Sequence, residues 1–203
     1  MKRRIAGILF IAAAAATAIC LTAPSAFADA VLTASYPASG TTHIAATNSS
    51  LSLGPGTLAA TADLTTGTLT GSITLPPATG SFTELGLVPV TVTTEFIQDG
   101  QTTGTINLNT GEVVATSQIT LKITDMKVAG LDVPVGPNCK SAHPATITVT
   151  SGASFSLLGG GPVSGTYTIP PFVNCFLETP VIDLVIPGPG NTIDLTLGTP
   201  TLS

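Results

Sequence analysis

Basic residues are scarce in this sequence and almost vanish after its first four positions. The 203 residues include six Lys and Arg in total, and beyond Arg4 only Lys122, Lys127 and Lys140 remain. Nucleic-acid binding needs clustered Lys and Arg that displace counterions from phosphates. Anionic lipid headgroups attract proteins through the same kind of charge. The sequence therefore excludes nucleic acid and argues against anionic membranes as partners.

Residues that carry catalysis are also rare. Histidine occurs only at His43 and His143, tryptophan is absent, and aromatic residues make up 4% of the chain. The two histidines lack the spacing of a zinc-binding helix, and no nucleophile elbow, P-loop or dinucleotide fingerprint occurs. We predict that the protein is not an enzyme and has no catalytic, cofactor-binding or metal-ligating residues.

Acidic residues supply the alternatives to that prediction. Asp125 with Asp132, or Asp183 with Asp194 on a predicted final hairpin, would be candidate acid–base pairs of the glycosidase kind. Residues 63–67, which begin with Asp and end with Gly, would be a fragment of a calcium loop. We favour solvated sheet faces for both pairs because no aromatic sugar-binding surface accompanies them. Residues 63–67 are far short of a full set of oxygen ligands.

An export signal dominates the N-terminus. Residues 2–4 are basic, an apolar stretch follows, and Ala26 and Ala28 form the A-x-A pattern that signal peptidase recognises. We expect residues 1–28 to be a cleaved signal peptide rather than a retained membrane anchor. The mature protein is then secreted, with any retention at the cell wall being noncovalent. Cleavage leaves three Lys and all eleven acidic residues, so the formal charge becomes −8, against −5 for the whole chain.

Cysteine occurs at three positions. Cys20 lies in the predicted signal peptide, and Ile19 before it is not the small residue that normally precedes a lipidated cysteine. Cys139 and Cys175 remain, and an even count in an oxidising compartment predicts a disulfide between them. A metal site is the less favoured alternative because no second Cys or His stands at ligand spacing. Both cysteines lie in Pro-rich stretches, so we expect the bond to clamp two loops at one end of the domain.

Strand patterns dominate the remaining chain. Aliphatic residues alternate with Thr, Ser or charged residues at 69–75, 119–124, 182–186 and 193–197, which is the period of a half-buried strand. Turn residues separate the strands, and the similar stretches 63–67 and 107–111 predict two hairpins with the same turn chemistry. We predict an all-β fold, an antiparallel β-sandwich (Ig-like or jelly-roll-like) of about ten strands with one disulfide. It would occupy residues 29–197 as one domain, followed by a flexible tail at 198–203.

The C-terminal half combines Pro- and Gly-rich stretches with Thr-rich alternation. Its most distinctive segments are 131–139 (LDVPVGPNC), 144–150 (PATITVT), 165–175 (GTYTIPPFVNC) and 187–191 (PGPGN). Over about residues 50–198 the chain resembles Thr- and Gly-rich secreted proteins of actinobacteria (high-GC Gram-positive bacteria), whose function is uncharacterised. The resemblance implies a β-sandwich, an exported location and one disulfide. It carries over no activity and no catalytic residues.

Two functions are compatible with these features. The first is a secreted, non-catalytic extracellular or cell-envelope-associated protein that contacts a cell-wall or other extracellular component. The second is a binder of an apolar, lipid-like ligand held between the two sheets, with the Gly-rich residues 159–161 in a loop that would gate the cavity. We prefer the first, because a close-packed core explains the aliphatic content with fewer assumptions.

Overall fold

The computed structural model describes residues 30–84 and 87–203. The predicted signal peptide, 1–28, lies outside the described residues. Strands account for 65% of the structure and helix for 6%, so the all-β prediction is confirmed.

Fourteen strands make up the described chain, and four of them have only two residues. In chain order they are β1 (Val31–Ile44), β2 (Ser49–Asp63), β3 (Thr68–Thr74), β4 (Ala78–Glu84), β5 (Val88–Gln98), β6 (Thr102–Ile106), β7 (Val113–Val128), β8 (Leu131–Asp132), β9 (Lys140–Ser141), β10 (Ala145–Ser151), β11 (Gly161–Ile169), β12 (Phe172–Val173), β13 (Gly188–Leu197) and β14 (Thr201–Leu202). A 3₁₀ turn (Phe176–Glu178) and one helix, α1 (Thr179–Val185), lie between β12 and β13.

Eight of these strands close into a barrel. The order β10-β11-β13-β1-β2-β3-β6-β7 is hydrogen-bonded throughout, and β7 pairs back onto β10 from Ala145↔Ile119 to Thr150↔Val114. All neighbouring strands in this ring are antiparallel. The β-sandwich prediction is therefore wrong: the sheet closes on itself and leaves no free edge within the ring.

The length of β7 lets it serve two parts of the structure. Its first half pairs with β6 and β10 inside the ring, and its second half pairs with β5 from Gln98↔Ile119 to Val90↔Val128. The β4–β5 hairpin therefore lies outside the barrel. β4 packs over the start of β2, where a Cβ added to Gly80 would lie 2.8 Å from the Leu51 side chain. This external hairpin encloses a second apolar region beside the barrel.

One predicted strand is a helix. Residues 182–186 alternate in hydrophobicity, but they fall largely in α1, where Ile182 is 1% exposed and Leu184 is 86% exposed. The apolar positions that pack inward are Ile182 and the partly buried Ile186, which are four apart as on one helix face. Pro180 lies in the first turn, where its missing N–H costs no hydrogen bond. Of the helices in the described residues, none has the length and apolar character to cross a membrane.

The two similar turns use the same hydrogen bonds, as predicted. Asp63 Oδ1 accepts from the N–H groups of Thr65 (2.8 Å) and Thr66 (3.1 Å), and Asn107 Oδ1 accepts from the corresponding two N–H groups in the β6–β7 turn. The pKa of Asp63 is lowered below its usual 3.8. The largest cause is hydrogen bonding by the Thr66 side chain, and the Thr66 and Thr65 N–H groups add to it. The Asp63 carboxylate, considered above as part of a calcium loop, is engaged in shaping its own turn.

The C-terminal residues are not a free tail along their whole length. Thr201–Leu202 forms β14 and pairs with β1, Thr201 opposite Ser35 and Leu202 opposite Ala34. The N–H of Ser203 also donates to the Thr33 carbonyl at 3.1 Å.

Candidate functional site

The barrel interior contains a cavity of about 120 Å³. An eight-stranded barrel is just wide enough for side chains to fill it, or to hold one small ligand where they do not. Here many inward positions carry very small residues, which leave the space unfilled. These small lining residues are Ala34, Ala60, Ala62, Gly71, Ala115 and Ser117.

Strands on both sides of the ring bound the free space. On β13 the inward-facing Ile193, Leu195 and Leu197 are 7%, 5% and 5% exposed, as expected of a packed core. On β2 the inward-facing Leu58 and Ala60 are only partly buried. Residues of β2 and of β13 both line the cavity.

The cavity wall is apolar and uncharged. Its hydroxyl-bearing residues are Tyr36, Thr102 and Ser117, and none of its lining residues is ionic. The Thr102 and Ser117 hydroxyls lie 2.6 Å apart and bond to each other, while the Tyr36 hydroxyl donates to the Leu157 carbonyl at 2.6 Å. The polar atoms are thus already paired. A charged or strongly polar guest would lose its hydration here without compensation, so the cavity suits a neutral apolar one.

The loop 152–160, between β10 and β11, lies across one end of the barrel. Phe155 and Leu157 reach from it into the cavity wall. Gly160 has φ +75°, and a Cβ there would come within 2.2 Å of the Leu197 carbonyl oxygen. The Gly-rich run predicted to gate a cavity thus lets the loop pack tightly against the barrel rim.

The hydrogen-bond ladder of the barrel wall is interrupted between β3 and β5. The β3–β6 ladder ends at Gly71↔Thr102, and beyond that point a side chain takes over. Gln98 Oε1 accepts from the Ile73 N–H at 2.6 Å, and its Nε2 donates to the carbonyls of Gly71 (3.2 Å) and Gly100 (2.9 Å). One carboxamide therefore substitutes for a strand at this position.

A buried polar network lies towards the other end of β1. The Thr42 hydroxyl donates to the Thr192 carbonyl at 2.7 Å and therefore accepts from the Tyr167 hydroxyl, also at 2.7 Å. Asn191, 1% exposed, accepts from the Ala45 N–H and donates to two backbone carbonyls. The sequence placed Asn191 in a Pro/Gly-rich turn and offered no sign of this role.

The cavity wall and the buried polar network each contain one tyrosine, Tyr36 and Tyr167 respectively. Burial raises the pKa of Tyr36 and of Tyr167 above the usual 10.0, although the Thr42 hydrogen bond partly opposes the shift at Tyr167. Since the folded state favours neutral tyrosine, these groups leave stability unchanged below pH 10 and reduce it as the pH rises further.

The chain has two Tyr and no Trp. We expect a tyrosinate absorbance titration of the folded protein to have its midpoint above 10.0, and a control titration in urea to return to that value. A folded-state midpoint at or below 10.0 would contradict the buried placement.

The predicted disulfide is present. Cys139 and Cys175 are bonded, both are 0% exposed, and their Cα atoms are 4.3 Å apart. Cys139 directly precedes β9, Cys175 follows shortly after β12, and β9 pairs with β12. Neither cysteine lines the cavity wall.

The structure separates Asp183 from Asp194. The predicted hairpin carrying both does not exist, because Asp183 is on α1 and Asp194 is on the outer face of β13. Asp183 Oδ1 accepts from the Phe172 N–H at 2.6 Å, which joins α1 to β12.

The other candidate carboxylates surround a lysine. Asp132 bonds to Lys127, and Asp125 lies close enough to add to the raised pKa of Lys127. His43 lies on the outer face of β1 near Ser50, and His143 lies in an exposed loop. Within residues 30–84 and 87–203, no three His, Cys, Asp or Glu side chains cluster as metal ligands would.

Comparison of the chain with protein-family models, curated proteins and solved structures found no match.

Proposed function

We propose that the protein binds a small neutral apolar molecule, or the apolar end of a larger one, inside its barrel. The observation that carries this proposal is the unfilled, uncharged cavity of about 120 Å³. It approaches in size the engineered apolar cavity of about 150 Å³ that binds benzene. The proposed ligand site is in the barrel interior rather than between two sheets.

The cavity favours the second of the two functions considered from the sequence, the binding of an apolar ligand. A close-packed core accounts for aliphatic residues at inward positions, but it does not account for Ala and Gly at so many of them. Small residues facing an empty space forgo packing contacts and hydrophobic burial. A ligand that occupies the space would restore those contacts, which supports apolar binding over a purely structural barrel.

We further propose that binding takes place outside the cell and without catalysis. The A-x-A pattern at residues 26–28 supports export, and the Cys139–Cys175 disulfide is compatible with an oxidising extracellular compartment. The scarcity of basic residues supports a ligand without phosphate or other strong negative charge.

Replacing Ala60 with leucine tests the binding site. The inward-facing Ala60 is partly buried at the cavity, so the leucine side chain should occupy the space that the ligand needs. We expect benzene to bind the wild-type protein saturably in calorimetric titrations and to bind A60L at least tenfold more weakly. Filling the space should also raise the free energy of unfolding of A60L by about 0.5–2 kcal/mol.

The neighbouring Ala59 provides the matched control. Its side chain is on the outer face of the same strand, so A59L should bind benzene like the wild type. Equal affinities for wild type, A59L and A60L would place the ligand elsewhere. Failure of the wild type to bind benzene, together with native mass spectra of exported protein that contain no apolar adduct, would reject the proposed function.

A further inference from the structure

We propose that Phe96 is the partition between the barrel cavity and a second apolar chamber, and that it sets the longest ligand the protein accepts. The ligand class this implies is a neutral unbranched chain, such as a short alkyl group. The inference rests on the proposed function and adds to it a shape and a residue that determines specificity.

The second chamber lies outside the ring, under the β4–β5 hairpin. It has a volume of about 50 Å³ and no charged residue in its wall. Its hydroxyls are largely satisfied, since Thr47 and Ser49 bond to each other at 2.7 Å and Tyr167 bonds to Thr42. The chamber therefore favours the same chemistry as the barrel cavity. Its main apolar lining residues are Ile44, Leu51, Phe82, Val92, Ile123 and Ile169.

Phe96 is the one residue of the described chain that lines both spaces. It lies on β5 opposite Leu121, and an irregularity between Thr93 and Thr94 shifts the register of this part of β5 against β7. Its side chain is only partly buried.

The volumes restrict the shape of the guest. Two small chambers joined at the position of one aromatic ring admit a narrow chain but not a fused ring system. At about 30 Å³ for a group the size of a water molecule, the second chamber adds room for roughly two more chain carbons. Each methylene that enters apolar surroundings strengthens binding about fourfold.

A series of straight-chain 1-alkanols tests the partition by calorimetry. For the wild type, affinity should rise about fourfold per added methylene and then level off at the length that fills the accessible space. In F96A the partition is removed, so we expect the affinity to level off at an alkanol at least two carbons longer than in the wild type. The shift should be smaller in F96L, which keeps part of the bulk and serves if F96A fails to fold by circular dichroism.

Phe82 supplies the matched control because it lines only the second chamber. F82A also removes a phenyl ring but leaves the partition in place. Its alkanol affinity should therefore level off at the same chain length as in the wild type. If the wild type binds no alkanol, the proposed function fails. If the wild type binds but neither F96A nor F96L shifts the limit, or F82A shifts it equally, the role of Phe96 is wrong while the binding function stands.

Discussion

Replacing Cys139 and Cys175 together with serine should lower the free energy of unfolding by roughly 2–4 kcal/mol while the barrel remains folded. The bond joins residues 36 positions apart, and the loop it closes contains the whole β10–β11 hairpin. That hairpin completes the ring between β7 and β13. A cross-link there restricts the unfolded chain and keeps the closing strands near their partners. The barrel ladders do not include either cysteine, so the fold itself should persist.

Urea unfolding of the double variant measures this effect. Reduction of the wild type provides the control, because it breaks the same link without changing the sequence and should produce a similar loss of stability. Thiol titration of denatured, unreduced protein should find neither Cys139 nor Cys175 reactive. Two reactive thiols in freshly exported protein, or an unchanged unfolding midpoint on reduction, would contradict the structural role.

The variant N191A should lose about 1–3 kcal/mol of stability, although it removes only one small side chain. Asn191 accepts from the Ala45 N–H at 3.0 Å and donates to the carbonyls of Tyr167 (3.2 Å) and Gly188 (2.8 Å). Alanine leaves all three backbone groups without this partner. Of the three, the Tyr167 carbonyl is in a buried bond, and leaving a buried group unsatisfied costs about 1–3 kcal/mol. The connection between β1 and β2, the end of β11 and the start of β13 should therefore loosen together.

An exposed asparagine gives the comparison for this prediction. Asn109 lies at the tip of the β6–β7 turn, so N109A should change stability by less than about 0.5 kcal/mol. Chemical denaturation of N191A, N109A and wild type under the same conditions separates the two cases. Equal midpoints for N191A and N109A would show that the buried carboxamide does not hold the three segments together.

Local patterns in the sequence located three of the strands and two of the turns. Alternation predicts a strand wherever one face is buried, and it located β3, the centre of β7 and the end of β13. The two turns with the same chemistry followed from the similarity of residues 63–67 and 107–111. The pattern failed at Ile182, because aliphatic residues two apart also occur in a short helix that exposes some of them, as α1 exposes Leu184.

By itself, then, the sequence determined the strand content, the turn chemistry and the pairing of the two cysteines, since each depends on neighbouring residues or on a simple count. Only the tertiary structure decided that the sheet closes, because an alternating strand has the same pattern in a sandwich and in a barrel. Closure depends on the β7–β10 ladder, which joins Ile119 to Ala145. The cavity follows from that closure: Ala60 and Ala115 become its walls only once the register turns both toward the same interior. Phe96 likewise lies between two chambers only because β5 pairs with the part of β7 that extends beyond the ring. This pairing is non-local, so no local pattern predicts it.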